Sequence, residues 1–125
     1  MNRKKFSLRA RLRSFRYAFA GLISLVKHEH NSRIHLLAAA LAIICGVVLN
    51  IDTLEWLVVI IVIGLVFIAE LINSSVENLA DALMPGYDER IRLTKDYAAA
   101  AVLVSAIIAL IAGIVIFLPK LLARF

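Results

Sequence analysis

The 125-residue sequence has little charge, only two prolines and a single cysteine. Charged residues make up 18% of the chain, whereas hydrophobic types make up 62%, and the mean hydropathy is +0.91. Cys45 alone cannot form an intramolecular disulfide. A soluble domain is about 45–50% apolar, and a small one buries a low fraction of its surface. The apolar excess therefore excludes an ordinary soluble domain and indicates a membrane protein.

Basic residues are missing from the middle of the chain. Nine of the 14 Lys and Arg residues lie before position 34, and none lies between Ile34 and Glu89. A basic terminus on a hydrophobic protein favours the anionic cytoplasmic face of a membrane over nucleic acid. The sequence also contains no P-loop and no protein-kinase signature, so the usual nucleotide motifs do not reveal a function.

Three apolar runs cover residues 34–49, 54–71 and 97–118. A helix needs about 20 residues to cross ~30 Å of hydrocarbon. Buried core helices are the alternative, but three such runs in so short a chain leave no soluble shell around them. With their flanks, the runs predict transmembrane helices over about 31–49, 54–83 and 96–118. The second helix is expected to extend into the cytoplasm until Pro85-Gly86, which is a stop signal.

The segment before the first span has a helical period of its own. Phe15, Phe19 and Ile23 recur at a spacing of four, and arginines are interleaved among them. This pattern predicts an amphipathic helix over about 7–27 that lies in the membrane interface, although a simple orientation signal would look similar. We therefore expect an all-α integral membrane fold with one surface helix and three transmembrane helices, forming a single domain over 1–125.

The orientation follows from the basic residues of the connections. The connection 85–95 contains Arg90, Arg92 and Lys95, whereas the connection 50–53 contains no basic residue. The positive-inside rule therefore predicts a cytoplasmic N-terminus and a cytoplasmic second connection. The basic residues of the C-terminal tail argue mildly against this orientation, but three spans require it.

Polar residues follow one face of the second span. Glu70, Asn73 and Glu77 are spaced by three and four, and Asp81 extends their stripe by one turn. A carboxylate at the edge of the hydrocarbon costs a few kcal/mol unless it has a partner, and no basic residue is near Glu70 in sequence. Oxygen ligands stacked in this way suit Mg²⁺ together with substrate phosphates. A solvated polar face would explain Glu77 and Asp81, but it leaves Glu70 unexplained.

Glu29 lies just before the first span, at the same predicted depth in the membrane as Glu77. Taken alone it would be an ordinary surface residue, but at this depth it can supply another metal ligand. The flanking histidines His28, His30 and His35 raise a zinc site as a less favoured alternative, since His28 and His30 do not share a helical face.

Lys95-Asp96 marks the cytoplasmic start of the third span. The lysine could anchor the helix by extending towards the interface, or it could neutralise a transferring phosphoryl group. The spacing alone leaves both roles open.

The stretches ELINSSVENLAD and KDYAAAAVLV, with Tyr87 between them, resemble the small bacterial membrane lipid kinases of the prokaryotic diacylglycerol kinase family. That family includes undecaprenol kinase. The resemblance covers nearly the whole chain, and its most specific part is E-x-x-N-x-x-x-E with KD downstream. The segments RIHLLAAA, LEWLVVIIVIG and GIVIFLPKLL are closer to the undecaprenol kinase branch.

The resemblance implies a homotrimer in the bacterial cytoplasmic membrane, with active sites built between neighbouring subunits. It implies ATP as donor and Mg²⁺ as cofactor. Glu70 is then the catalytic proton acceptor for the lipid hydroxyl, Asn73 helps to place that alcohol, and Glu29 and Glu77 hold the metal. The implied contacts to ATP come from Tyr17, Glu29, Glu77, Gly86, Tyr87, Asp88, Lys95 and Asp96. The family often has a basic residue near position 10, and here Arg9 and Arg11 flank Ala10, so the equivalent residue is left open.

The expected activity is phosphorylation of the hydroxyl of a membrane-embedded lipid alcohol. Undecaprenol is the first expectation and diacylglycerol is the alternative, because both present a primary hydroxyl at the interface. A rival from another class is an ion- or proton-conducting oligomer with Glu70 as a relay. Such a protein needs polar groups through the full depth of the bilayer, whereas the outer halves of these spans contain almost none beyond Glu55.

Overall fold

The computed structural model describes residues 5–125, and within them the chain forms four α-helices. Helix α2, α3 and α4 are each long and apolar enough to cross a bilayer. The expected all-helical fold is therefore confirmed, and three of its helices have the length and hydrophobicity that a membrane span requires. The helices cover Leu8–His28 (α1), His30–Val48 (α2), Thr53–Leu83 (α3) and Glu89–Arg124 (α4).

Short polar caps set where α3 and α4 begin. The Asp52 carboxylate accepts a hydrogen bond from the Glu55 N–H at 2.9 Å, and the Glu55 carboxylate accepts one from the Asp52 N–H at 3.1 Å. This reciprocal capping box satisfies two otherwise unpaired donors of α3. The Asp88 carboxylate accepts hydrogen bonds from the first N–H groups of α4. Because of this cap, the span expected over 96–118 lies within a longer helix, and the preceding connection is confined to residues 84–88.

Helices α3 and α4 form an antiparallel pair and share the most extensive helix contact. Lys95 near the start of α4 pairs with Asp81 near the end of α3. At the opposite end, Lys120 Nζ lies 3.1 Å from Glu55 Oε1. The pair is therefore joined by an ion pair at each end, and α2 packs mainly against α3.

The tightest apolar packing lies at the end of the molecule that carries Glu55. Ile51, Val59 and Ile116 are buried together there, with Trp56 packed against them. A Cβ atom at Gly46 would lie 2.7 Å from Cη2 of Trp56, so only glycine lets α2 approach α3 this closely. This end therefore combines a buried apolar cluster with the ion pair of Lys120 and Glu55.

Large apolar side chains remain exposed along α2, α3 and α4, as expected of surfaces that face hydrocarbon. Helix α1 also exposes Phe15 and Phe19, while Leu25 near its end is buried. One side of α1 therefore offers apolar surface beyond the contacts that the chain makes with itself.

Candidate active site

Glu70 is the most deeply buried charged residue of the described chain, with 2% of its surface exposed. Its partner comes from α2, where Nε2 of His35 lies 3.2 Å from Oε1 of Glu70. A buried carboxylate needs such a partner, because desolvation of an unpaired charge is costly. Sequence reasoning missed this pair because the two residues meet only when α2 packs against α3.

Several buried polar atoms of α2 and α3 have no hydrogen-bond partner within the described residues. Within residues 5–125, no aligned hydrogen bond reaches Glu70 Oε1, so the His35 contact is close but its angle is poor. Oδ1 of Asn73 and the hydroxyl oxygens of Ser32 and Ser74 are also buried without a partner in this part of the chain. Buried polar atoms are normally paired, and Asn73 and Ser74 lie one turn from Glu70 on α3, so partners for polar atoms of a substrate are available on this stretch of the helix.

Asn73 and Glu77 continue the site along α3. The Asn73 Nδ2 donates to Glu77 Oε1 at 3.5 Å, and both residues are half-buried. Glu29 lies at the break between α1 and α2, where it ends one helix and precedes the next. The charges of Glu29 and Glu77 both act on Glu70. Glu29 of the α1–α2 break is therefore on the same side of the fold as the acidic face of α3.

Apart from the imidazole of His35, the groups expected to hold a metal here are oxygen donors. Among the described residues, no three His, Cys, Asp or Glu side chains lie close enough together to hold an ion. Magnesium in kinases is commonly held by one or two carboxylates together with substrate phosphates and water. Glu29 and Glu77 fit that requirement in their chemistry, with the unpaired Asn73 oxygen beside Glu77.

Lys95 reaches α3 from the first turns of α4. Its Nζ lies 2.5 Å from Oδ1 of Asp81, and the charge of Glu77 also acts on it. The lysine is half-buried and stands at the same end of α3 as Glu77. A fixed positive charge is therefore present beside the acidic group. Asp96 instead accepts from Arg92 at 2.9 Å and is largely exposed.

The connection before α4 is exposed and held by local contacts. The Tyr87 hydroxyl donates to Glu89 Oε2 at 2.8 Å, and the Arg90 guanidinium pairs with Asp88 at 3.3 Å. Hydrogen bonds from the Arg90 side chain and backbone hold the pKa of Asp88 below its usual range. Asp88 is therefore ionised and caps α4, and Gly86 is exposed with open space around its Cα.

Helix α1 supplies the outermost residues expected at the site. Tyr17 is 68% exposed, and no hydrogen bond of its side chain occurs among the described residues. Arg9 and Arg11 are also exposed, and the Arg11 guanidinium lies 5.6 Å from the centre of the Phe6 ring. The Tyr17 side chain is therefore open to contacts outside its own chain.

The fold and the site define a small helical membrane protein with a buried carboxylate, an adjacent acidic group and a fixed lysine at one end of its helix pair. The family model described as prokaryotic diacylglycerol kinase matches residues 16–117. The chain belongs to that family, so the resemblance given by ELINSSVENLAD and KDYAAAAVLV is confirmed.

Individual relatives carry two different names. The chain is 36% identical over 109 residues to undecaprenol kinase of Bacillus subtilis, covering 87% of this chain and 89% of the relative. It is 36% identical over 111 residues to diacylglycerol kinase of Synechocystis sp., covering 88% of this chain but 63% of that relative. Diacylglycerol kinase of Escherichia coli K12 is 32% identical over 95 residues, covering 76% and 78%. Membership in this family makes the chain a kinase.

Proposed function

We propose that the protein is an ATP-dependent lipid kinase that phosphorylates undecaprenol to undecaprenyl phosphate. The observation that carries the proposal is the buried Glu70 within α3, with the unpaired oxygen of Asn73 one turn away on the same helix face. The similarity to an undecaprenol kinase along nearly the full length of both chains favours this lipid. Diacylglycerol is the second candidate, supported by the relatives that carry that name.

Glu70 acts as the general base in this proposal. An alcohol is a poor nucleophile until its proton is accepted, and a carboxylate partly removed from water is suited to accept it. The lipid hydroxyl oxygen attacks the γ-phosphorus of ATP, the bond from that phosphorus to the β-phosphate oxygen breaks, and ADP leaves. The hydroxyl proton passes to Glu70, and Asn73 helps to hold the alcohol.

The remaining polar residues serve ATP. Lys95 places positive charge beside the phosphates, which is the main need of phosphoryl transfer. Glu29 and Glu77 would hold Mg²⁺, which when bound neutralises charge on the phosphates. The further contacts to ATP are assigned to Tyr17, Gly86, Tyr87, Asp88 and Asp96.

The proposed assembly is a homotrimer in the bacterial cytoplasmic membrane, with the N-terminus in the cytoplasm. Three crossing helices are too few to enclose a site, and the exposed Tyr17 supports a site shared between subunits. The small residues over 97–101 permit close helix approach. Helix α1 would lie in the interface, with Phe15 and Phe19 towards the acyl chains and arginines towards the headgroups.

A direct assay distinguishes the two lipids. Purified protein in mixed micelles is given γ-labelled ATP with either undecaprenol or diacylglycerol, at equal mole fraction. We expect label in undecaprenyl phosphate at a clearly higher kcat/KM than in phosphatidic acid. Preferential labelling of phosphatidic acid would replace undecaprenol by diacylglycerol, and labelling of neither lipid would contradict the proposed function.

A further inference from the structure

His35 stands where α2, α3 and an apolar cavity meet. Its side chain is 23% exposed, against 3% for Glu70, and Nε2 and Oε1 are 3.2 Å apart. The cavity has a volume of about 550 Å³ and is bounded by α2, α3 and α4. Apart from Cys45, His35 is the one lining residue with an ionisable side chain. The imidazole therefore lies between the buried carboxylate and an apolar space.

The other groups near Glu70 cannot replace His35. Glu29, at the start of α2, and Glu77, two turns beyond Glu70 on α3, are both acidic. Their charges repel the Glu70 carboxylate. The Asn73 amide nitrogen is directed at Glu77, and Lys95 on α4 is paired with Asp81. Among the ionisable side chains of residues 5–125, His35 is thus the one with a nitrogen within 4 Å of the Glu70 carboxylate.

We infer that His35 is a positioning residue for Glu70: its Nε2 holds Oε1, so that Oε2 is the oxygen presented to the lipid hydroxyl. This inference rests on the proposed role of Glu70 as base. A carboxylate that is free to rotate would present either oxygen, and loss of orientation lowers turnover without weakening ATP binding. The contact between Nε2 and Oε1 is poorly aligned, and a small rotation of the His35 or Glu70 side chain would align it as a hydrogen bond.

Two variants of His35 separate positioning from packing. His35→Leu keeps a side chain of suitable size beside the apolar cavity but removes the donor, whereas His35→Gln places an amide nitrogen near the position of Nε2. We expect His35→Leu to lower kcat roughly 10- to 100-fold, a part of the ~10²–10⁴ that general-base catalysis supplies, with KM for ATP unchanged. His35→Gln should restore most of the lost turnover.

The matched control is His28→Leu. Nδ1 of His28 lies 2.9 Å from the Ser24 carbonyl oxygen on its own helix, so this imidazole does not face Glu70. Its loss should leave kcat unchanged. The double variant should have the same kcat as Glu70→Gln alone, because the two residues act as one unit.

The outcomes distinguish this inference from the proposed function. Three results would each overturn the role of His35: parent-like turnover of His35→Leu, equal rates for the Leu and Gln variants, or additive losses with Glu70→Gln. The base assignment would still stand if the Glu70→Gln variant were inactive. Normal turnover of Glu70→Gln would instead overturn the proposed function itself.

Discussion

Lys95 is held against α3 by an ion pair with Asp81, a residue whose role the sequence left open. An exposed ion pair contributes only about 0–1 kcal/mol to stability. The pair therefore matters for where it places the lysine, which is beside Glu77 at the polar end of the helix pair. Lys120 forms the same kind of ion pair with Glu55 at the other end of the helices, but no acidic stripe of the described residues lies beside it. It therefore serves as a comparison for Lys95.

We expect Lys95→Met to abolish phosphoryl transfer, because it removes the positive charge from the phosphates. Lys95→Arg should retain part of the activity, and Lys120→Met should retain nearly all of it. The measurement is ATP-dependent lipid phosphorylation by protein whose membrane insertion is shown to be normal. Equal turnover of Lys95→Met and Lys120→Met would make Lys95 a membrane anchor only.

At the scale of the helix, the closest approach is that of α2 to α3 at Gly46. A methyl group there would meet the Trp56 ring at 2.7 Å, whereas nothing lies within 4 Å of the corresponding position at Gly64. We expect Gly46→Ala to lower stability by roughly 1–3 kcal/mol, which is typical of overpacking. Gly64→Ala is the matched control and should cause no loss.

Thermal unfolding in detergent measures this difference as a shift of the midpoint. The two variants add the same methyl group to a glycine within a membrane helix, so composition and helix propensity cancel. Equal midpoints for both would show that Trp56 moves aside without cost and that the close approach does not stabilise the fold.

The sequence predicted the helices well where hydrophobicity determined them. The three spans follow from apolar runs longer than a core helix needs. The start of α4 at Glu89 was less visible, because Arg90, Arg92 and Lys95 are typical of a solvated loop as well as of a helix. The Asp88 cap decides between them, and its hydrogen bonds to the first turn are local signals that could have been used.

The candidate site was predictable only within one helix. Helical spacing placed Glu70, Asn73 and Glu77 on one face. The contacts of Glu70 with His35 and of Lys95 with Asp81 each join two helices. Such pairs depend on how the helices pack, and no local spacing encodes that packing.

At the scale of the whole molecule, the two ends differ in character. One end carries the apolar cluster around Trp56, while the other carries Lys95 and the acidic residues near it. Tyr17 on α1 remains exposed. A neighbouring subunit of the proposed homotrimer would complete the site, since symmetric assemblies bring the same surfaces of each subunit together.

Mixing two inactive variants tests the shared site. We expect Glu70→Gln subunits and Tyr17→Ala subunits to be impaired alone and to regain activity when refolded together, because some mixed trimers then contain one site with Glu70 from one chain and Tyr17 from its neighbour. Labelled subunits provide the control that mixed trimers form. Mixed trimers without activity would place each site within a single chain.

The most direct test of the account is the turnover of Glu70→Gln with ATP and undecaprenol. Gln keeps the size of the side chain and its place beside His35 but cannot accept the proton. We predict a loss of at least ~10²-fold in kcat, the low end for general-base catalysis, with membrane insertion and assembly unchanged. Near-normal turnover in this variant would contradict the central claim that Glu70 activates the lipid hydroxyl.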